Sequence, residues 1–172
     1  MPVVGEPDLE PDEGWVPLDL GEEIGVGASS FVSGAGNGRR LRVRYFRCDA
    51  KGTLAGKAWF GPDAEGPPGH AHGGSIAAVL DEAMGAAAWA AGHVVLAASI
   101  TVHFREMLPL GTVCRIGAWV SGVDGRKVRT QGLLAAPSGA TFANAEGLFV
   151  TVDPARMGDL AERALHLLGR AP

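Results

Sequence analysis

The 172-residue chain is long enough for one domain with a real core, and its 47% hydrophobic content is ordinary for a globular protein. The net charge of −4 is unevenly spread: eight acids (Glu6, Asp8, Glu10, Asp12, Glu13, Asp19, Glu22, Glu23) precede Arg39 with no Lys or Arg among them, so the remainder is net basic. No stripe of cations and aromatics argues for nucleic acid, and the longest apolar run, Ile76 to Ala91, is too short and too charged to span a membrane.

Residues 1–38 read as an acidic, partly flexible N-terminal arm, with prolines among acids and a Gly/Ser/Ala-rich run from Gly25 to Gly38. A short helix near Leu18 to Ile24 is expected within it. From Arg39 the pattern changes. Leu41, Val43 and Tyr45 alternate with Arg42, Arg44 and Phe46, which predicts a half-buried strand. Thr53 to Phe60 reads as a second strand, and residues 61–70 as a loop. Ser75 to about Ala91 is the long helix, because Ile76, Leu80, Met84 and Ala87 recur at helical spacing. Four strands follow: Val94 to Phe104, Val113 to Val123, Lys127 to Ala136 and Thr141 to Val152. Asp124-Gly125 is a two-residue hairpin signal between the second and third of these. Asp153-Pro154 opens a last helix over residues 154–172, with Leu160, Ala164, Leu165 and Leu168 on one stripe. Tight hairpins imply antiparallel neighbours, so the expected body over 39–153 is α+β, a curved antiparallel sheet wrapped around one long central helix.

The segment GPPGHAHGGSIAAVLD carries the most specific chemistry. His72-Gly73-Gly74 sits where a loop enters the long helix, and the first N–H groups of a helix have no internal partners. With the helix dipole, such donors can stabilise an oxyanion forming on an acyl carbonyl. Nine residues past His72, Asp81 puts a carboxylate on an otherwise apolar helix. Gly73 and Asp81 are eight residues apart, about 12 Å at the helical rise. One helix therefore cannot bring both to one reacting group. Two antiparallel helices from two subunits can, which predicts a composite site at a twofold interface. The pair His70 and His72 lacks the further ligands a metal centre needs, so no metal is expected.

These motifs resemble those of the hotdog-fold thioesterase superfamily, in the branch of the phenylacetate-pathway thioesterases and the human THEM proteins. GPPGHAHGGSIAAVLD, HFREMLPLG and VDGRK stand in the family's order and spacing over roughly residues 40–152. The resemblance implies an acyl-CoA thioesterase working as a homodimer or dimer of dimers, with acyl-CoA as its partner and no cofactor. Asp81 would attack the thioester or activate water, the Gly73 N–H would form the oxyanion hole, and His72 would shape the loop. Ser99 is the best match to the hydroxyl that orients the nucleophile, although related members place a Thr where this chain has Ala97. An amide side chain used by some relatives corresponds to Gly66 here. The hairpin residues Gly125, Arg126 and Lys127, with His103, would meet the CoA moiety. Glu82, about 100° from Asp81 around the helix, is set aside on the family match. Two other readings stand beside hydrolysis: a hotdog protein that binds acyl-CoA without cleaving it, and a hotdog hydratase or dehydratase.

Three bland readings complete the expectations. Cys48 and Cys114 are taken as reduced packing cysteines, and the N-terminus lacks the features of a secretion signal, so a cytoplasmic location is expected. The arginines at 39, 40, 42, 44 and 47 are taken as a solvated strand edge rather than phosphate ligands. Trp59 and Trp89 are assigned to the core.

Overall fold

The computed structural model describes residues 6–21, 30–34, 38–48 and 53–153. Seven strands form one antiparallel sheet in the order β1-β2-β3-β5-β6-β7-β4. They are β1 (Val16–Leu18), β2 (Leu41–Arg47), β3 (Thr53–Phe60), β4 (Val95–Phe104), β5 (Val113–Asp124), β6 (Lys127–Ala135) and β7 (Thr141–Thr151). The helix α1 (Gly73–Ala90) lies across one face, against β3 to β7, as the hotdog arrangement requires. The C-terminal helix expected over 154–172 lies outside the described residues.

Period-two patterning decides which side chains meet α1. On β2, Leu41, Val43 and Tyr45 are buried on the helix side. From α1 itself Ile76, Val79, Leu80, Ala83, Met84, Ala86, Ala87 and Ala88 are buried. The helix comes very close to β6 at Gly132, where a β-carbon would lie 3.1 Å from Met84 Cγ and 3.2 Å from Leu80 Cδ2. A side chain there would oblige Met84 and Leu80 to shift. Cys114, fully buried in this core, has its thiol pushed up to about 12 by burial, as suits a packing cysteine.

Within the acidic arm, Val16–Leu18 is a strand that pairs with β2 through Val16 opposite Arg47 and Leu18 opposite Tyr45. Of the helix expected near Leu18 to Ile24, Leu20 and Gly21 are helical, and residues 22–24 lie outside the described residues. The arm's acids meet the sheet's cations: Glu6 pairs with Arg42, Glu10 with Arg44, and Asp12 with both Lys57 and Arg115. Trp15 packs on Phe46 with ring centroids 5.5 Å apart, and Arg42 lies over Trp59. The arginines of β2 are thus not a bare solvated edge. β1 occupies the edge, and the arm's carboxylates occupy two of the guanidiniums.

At the opposite edge, β4 has no neighbour beyond it among the described strands. A bulge between Ala97 and Ser99 changes its facing: Ala97 pairs with the buried Phe149, whereas Ser99 pairs with Leu148. Paired residues share a face, so Ala97 looks toward α1 and Ser99 looks away from it. Ile100, Val102 and Phe104 then return to the helix side.

Candidate active site

The loop that delivers the polypeptide to α1 is held from two directions. A 3-10 turn at Pro62–Ala64 receives His72 N–H on the Ala64 carbonyl, and Ala71 N–H donates to the Leu108 carbonyl. Gly66 turns so tightly beneath His72 that a β-carbon there would lie 2.7 Å from His72 Cα. This backbone leaves no room for the amide side chain that some relatives use at that position.

His72 is the N-cap of α1, with extended backbone at φ −65° and ψ 134°. Its Nδ1 accepts the Gly74 N–H at 2.9 Å, which requires the neutral ring with the proton on Nε2. Its carbonyl accepts from Ser75 and Ile76. Three of the four N-terminal amides are thereby satisfied. The fourth, on Gly73, has no acceptor among the described residues. It is a free donor at the positive end of an 18-residue helix. The ring of Phe104 stands against Gly73, with Cζ 3.2 Å from where a β-carbon would be.

Two turns along, Asp81 is half-buried and makes no hydrogen bond or ion pair among the described residues. Burial holds its carboxyl above the ordinary aspartate range. Glu82 is different. Its carboxylate accepts from Ser30 Oγ at 2.7 Å and from Tyr45 OH at 3.2 Å. Tyr45 stays a donor because burial, then the charges of Glu82 and Asp81, raise its hydroxyl well above the ordinary value. Of the two adjacent acids, one is committed to structure and one is free for chemistry. This distinction was not visible in the sequence, where Ser30 lies 52 residues from Glu82.

The remaining predicted residues divide between two places. Ser99 does not meet Asp81. It lies on the outer face of the sheet with Thr101, Lys127, Arg129, Gln131 and Glu146, around a groove of about 320 Å³. His103 is exposed on that same face opposite Asn144, whereas Lys127 pairs with Val150, six residues further along β7 or about 20 Å. One chain therefore separates His103 from the hairpin. Gly125 makes the hairpin turn with φ +55°. The Arg126 guanidinium donates to the Thr151 carbonyl at 3.0 and 3.3 Å, while Lys127 has no ion pair among the described residues. His70 Nδ1 sits 2.9 Å from the Pro68 carbonyl, and no cluster of three metal-ligating side chains occurs among the described residues. No described helix is long and apolar enough to cross a membrane.

A family model described as the thioesterase superfamily matches residues 68–142. The acyl-coenzyme A thioesterase THEM4 of Xenopus laevis is 44% identical over 70 residues, 41% of this chain and 32% of that protein. THEM5 of Mus musculus, likewise named an acyl-coenzyme A thioesterase, is 31% identical over 91 residues, 52% of this chain and 37% of that protein. The chain matches about a third of the length of these curated relatives. Among solved structures, a thioesterase superfamily protein superposes with TM-score 0.67 and 27% identity over 85% of this chain and 70% of its own. The PaaI protein of the E. coli phenylacetic acid degradation operon gives TM-score 0.61 at 14% identity, covering 70% and 86%. A Streptococcus mutans protein bound to acetyl CoA gives 0.58 at 13% identity, covering 86% and 96%.

Proposed function

We propose that this chain, whose residues 68–142 match the thioesterase superfamily model, hydrolyses an acyl-CoA thioester to the free acid and CoA. The observation that carries the proposal is a pair of polar groups on α1 with no partner among the described residues: the Gly73 N–H at its start and the half-buried Asp81 carboxylate two turns later. Thioester hydrolysis needs a donor for the carbonyl oxygen and a base or nucleophile near the carbonyl carbon, and a carboxylate can serve as either. In the water route, Asp81 takes a proton from water as the hydroxide adds to the carbonyl carbon. The oxyanion is held by the Gly73 N–H. Collapse breaks the carbon–sulfur bond, and the departing thiolate recovers the proton from Asp81. In the nucleophilic route, Asp81 itself adds, expels the thiolate and forms an anhydride that water then hydrolyses. His72 serves either route through the bond from Gly74, which keeps the loop in shape while leaving Gly73 free. His103 and Gly125, Arg126 and Lys127 are the residues proposed to face CoA. Lys127 is the better phosphate partner, because Arg126 is already bound to the Thr151 carbonyl.

The site is proposed to be shared between two copies of the chain. About 12 Å of helix separates Gly73 from Asp81 in one protomer, too far to act on one thioester. The unpaired edge of β4, with Leu96 55% exposed, supports a second copy alongside. The test is thiol release from a panel of acyl-CoAs, with the Asp81→Asn variant falling by about a hundredfold or more. Mixing Asp81→Asn with a variant lacking the Gly73 donor, followed by subunit exchange, should restore about a quarter of wild-type activity. Half of the dimers are then mixed, and each mixed dimer has one intact centre of two. Full turnover by Asp81→Asn sinks the hydrolytic reading, and no recovery on mixing sinks the shared site.

One observation favours a second reading, binding without cleavage. Ala97, on the helix side of β4 where relatives carry a Thr, offers Asp81 no hydroxyl. The same panel separates the two: acyl-CoA bound with no thiol released identifies a carrier.

A further inference from the structure

The ring of Phe104 is the side chain nearest to where a Gly73 β-carbon would stand, among the described residues, and the hydrolytic steps give it no role. It closes β4 on the helix side, opposite Ala143 of β7, and the tip of its ring touches Gly73. Such a position would normally be filled by core packing, yet Phe104 remains 55% exposed. The backbone cannot supply what the ring supplies there. Gly73 has no side chain, Gly74 follows it, and the loop before them is polar at His70 and His72. The ring is therefore the apolar surface standing beside the unsatisfied N–H.

Resting on the hydrolytic reading above, we infer that Phe104 is a specificity-determining residue: its exposed ring forms the wall against which the first carbons of an apolar acyl group pack while the carbonyl oxygen meets Gly73 N–H. The contact is made by substituents beyond the carbonyl carbon, so it distinguishes acyl groups of several carbons from acetyl. It acts by excluding water from apolar surface and carries no charge or proton. The ring also explains why residue 73 is best left without a side chain, since a β-carbon at 3.2 Å would push the wall away from the amide.

The test compares hexanoyl-CoA with acetyl-CoA in wild type, Phe104→Ala and Phe104→Leu, measured by thiol release in the full chain. For Phe104→Ala, kcat/KM for hexanoyl-CoA should drop about tenfold, mainly through KM, because the packing is lost equally from ground and transition states. The ratio of kcat/KM for hexanoyl-CoA to that for acetyl-CoA should therefore fall several-fold, and Phe104→Leu should recover most of that ratio. An equal fall with both substrates, or no fall with either, overturns the assignment of Phe104. Absence of thiol release by the wild-type protein with any acyl-CoA overturns the hydrolytic reading itself and the wall with it. A thermal melt of each variant, together with its acetyl-CoA rate, identifies misfolding: a misfolded Phe104→Ala loses both rates, and Phe104→Leu then decides.

Discussion

Replacing Gly73 by proline removes one hydrogen-bond donor with unusually little else. Residue 73 is the first position of α1, where proline is well tolerated because its missing N–H would have no helical partner. The preceding residue must be extended for proline to follow it, and His72 already is, at φ −65° and ψ 134°. Both proline and alanine add a β-carbon 3.2 Å from Phe104 Cζ, so the steric disturbance is shared and Gly73→Ala serves as the control. Stability of both variants should stay within about 1 kcal/mol of wild type, since each also loses less backbone entropy on folding than glycine. Catalysis should separate them. Loss of one oxyanion donor costs about 2.7–4 kcal/mol of transition-state stabilisation, so kcat for Gly73→Pro should fall about 10²- to 10³-fold below that of Gly73→Ala. The assay is steady-state thiol release with one acyl-CoA at saturating concentration, beside urea denaturation of each variant. Equal activity of the proline and alanine variants would show that the amide is not the donor, however far both fall below wild type.

Two other outcomes follow from the acids of α1. Burial raises the Asp81 pKa, so the native state binds this proton more tightly than the unfolded chain, and the charged form costs stability as pH rises through the raised value. Asp81→Asn should therefore melt slightly higher than wild type at pH 7, by about one or two degrees given its partial exposure. The gain should vanish below the ordinary aspartate value of 3.8, which differential scanning calorimetry across pH would check. At Glu82, Ser30→Ala and Tyr45→Phe should each cost about 1–2 kcal/mol in urea denaturation, and the double variant more than their sum, because it leaves the carboxylate with neither donor; strict additivity would count against a shared network.

Local patterning carried most of the architecture. Leu41, Val43 and Tyr45 sit inward because alternation is a property of the pleat itself, and Asp124-Gly125 turns the chain where a positive φ is needed. The long helix was legible from its apolar spacing, though it begins at Gly73 rather than Ser75, since caps rather than periodicity set its first turn. What was missed depends on partners distant in the chain. Val16–Leu18 has no strand signature of its own and is fixed by pairing with β2 and by the ion pairs of Glu6, Glu10 and Asp12. Ser99 was assigned from the family resemblance, and the bulge between Ala97 and Ser99 sets it on the face away from α1, a change that no period in the sequence announces.

The proposed shared centre consists of polar groups left over after the fold has used the rest. Buried and half-buried polar groups ordinarily find partners, and α1 shows how thoroughly: His72 satisfies three amides, and Ser30 with Tyr45 satisfies Glu82. Against that background, a half-exposed N–H and a half-buried carboxylate on the same helix stand out as groups left without a partner among the described residues. They are also complementary in kind, a donor for developing negative charge and a base for water, and they are held about 12 Å apart by the rigidity of the helix. Flexing one protomer cannot bring them together. In the proposed dimer, a half-rotation about an axis perpendicular to α1 and midway between them sets each donor beside the other copy's acid, and it does so twice. Where that axis is also perpendicular to β4, the two β4 edges run antiparallel, the orientation in which unpaired backbone groups can bond.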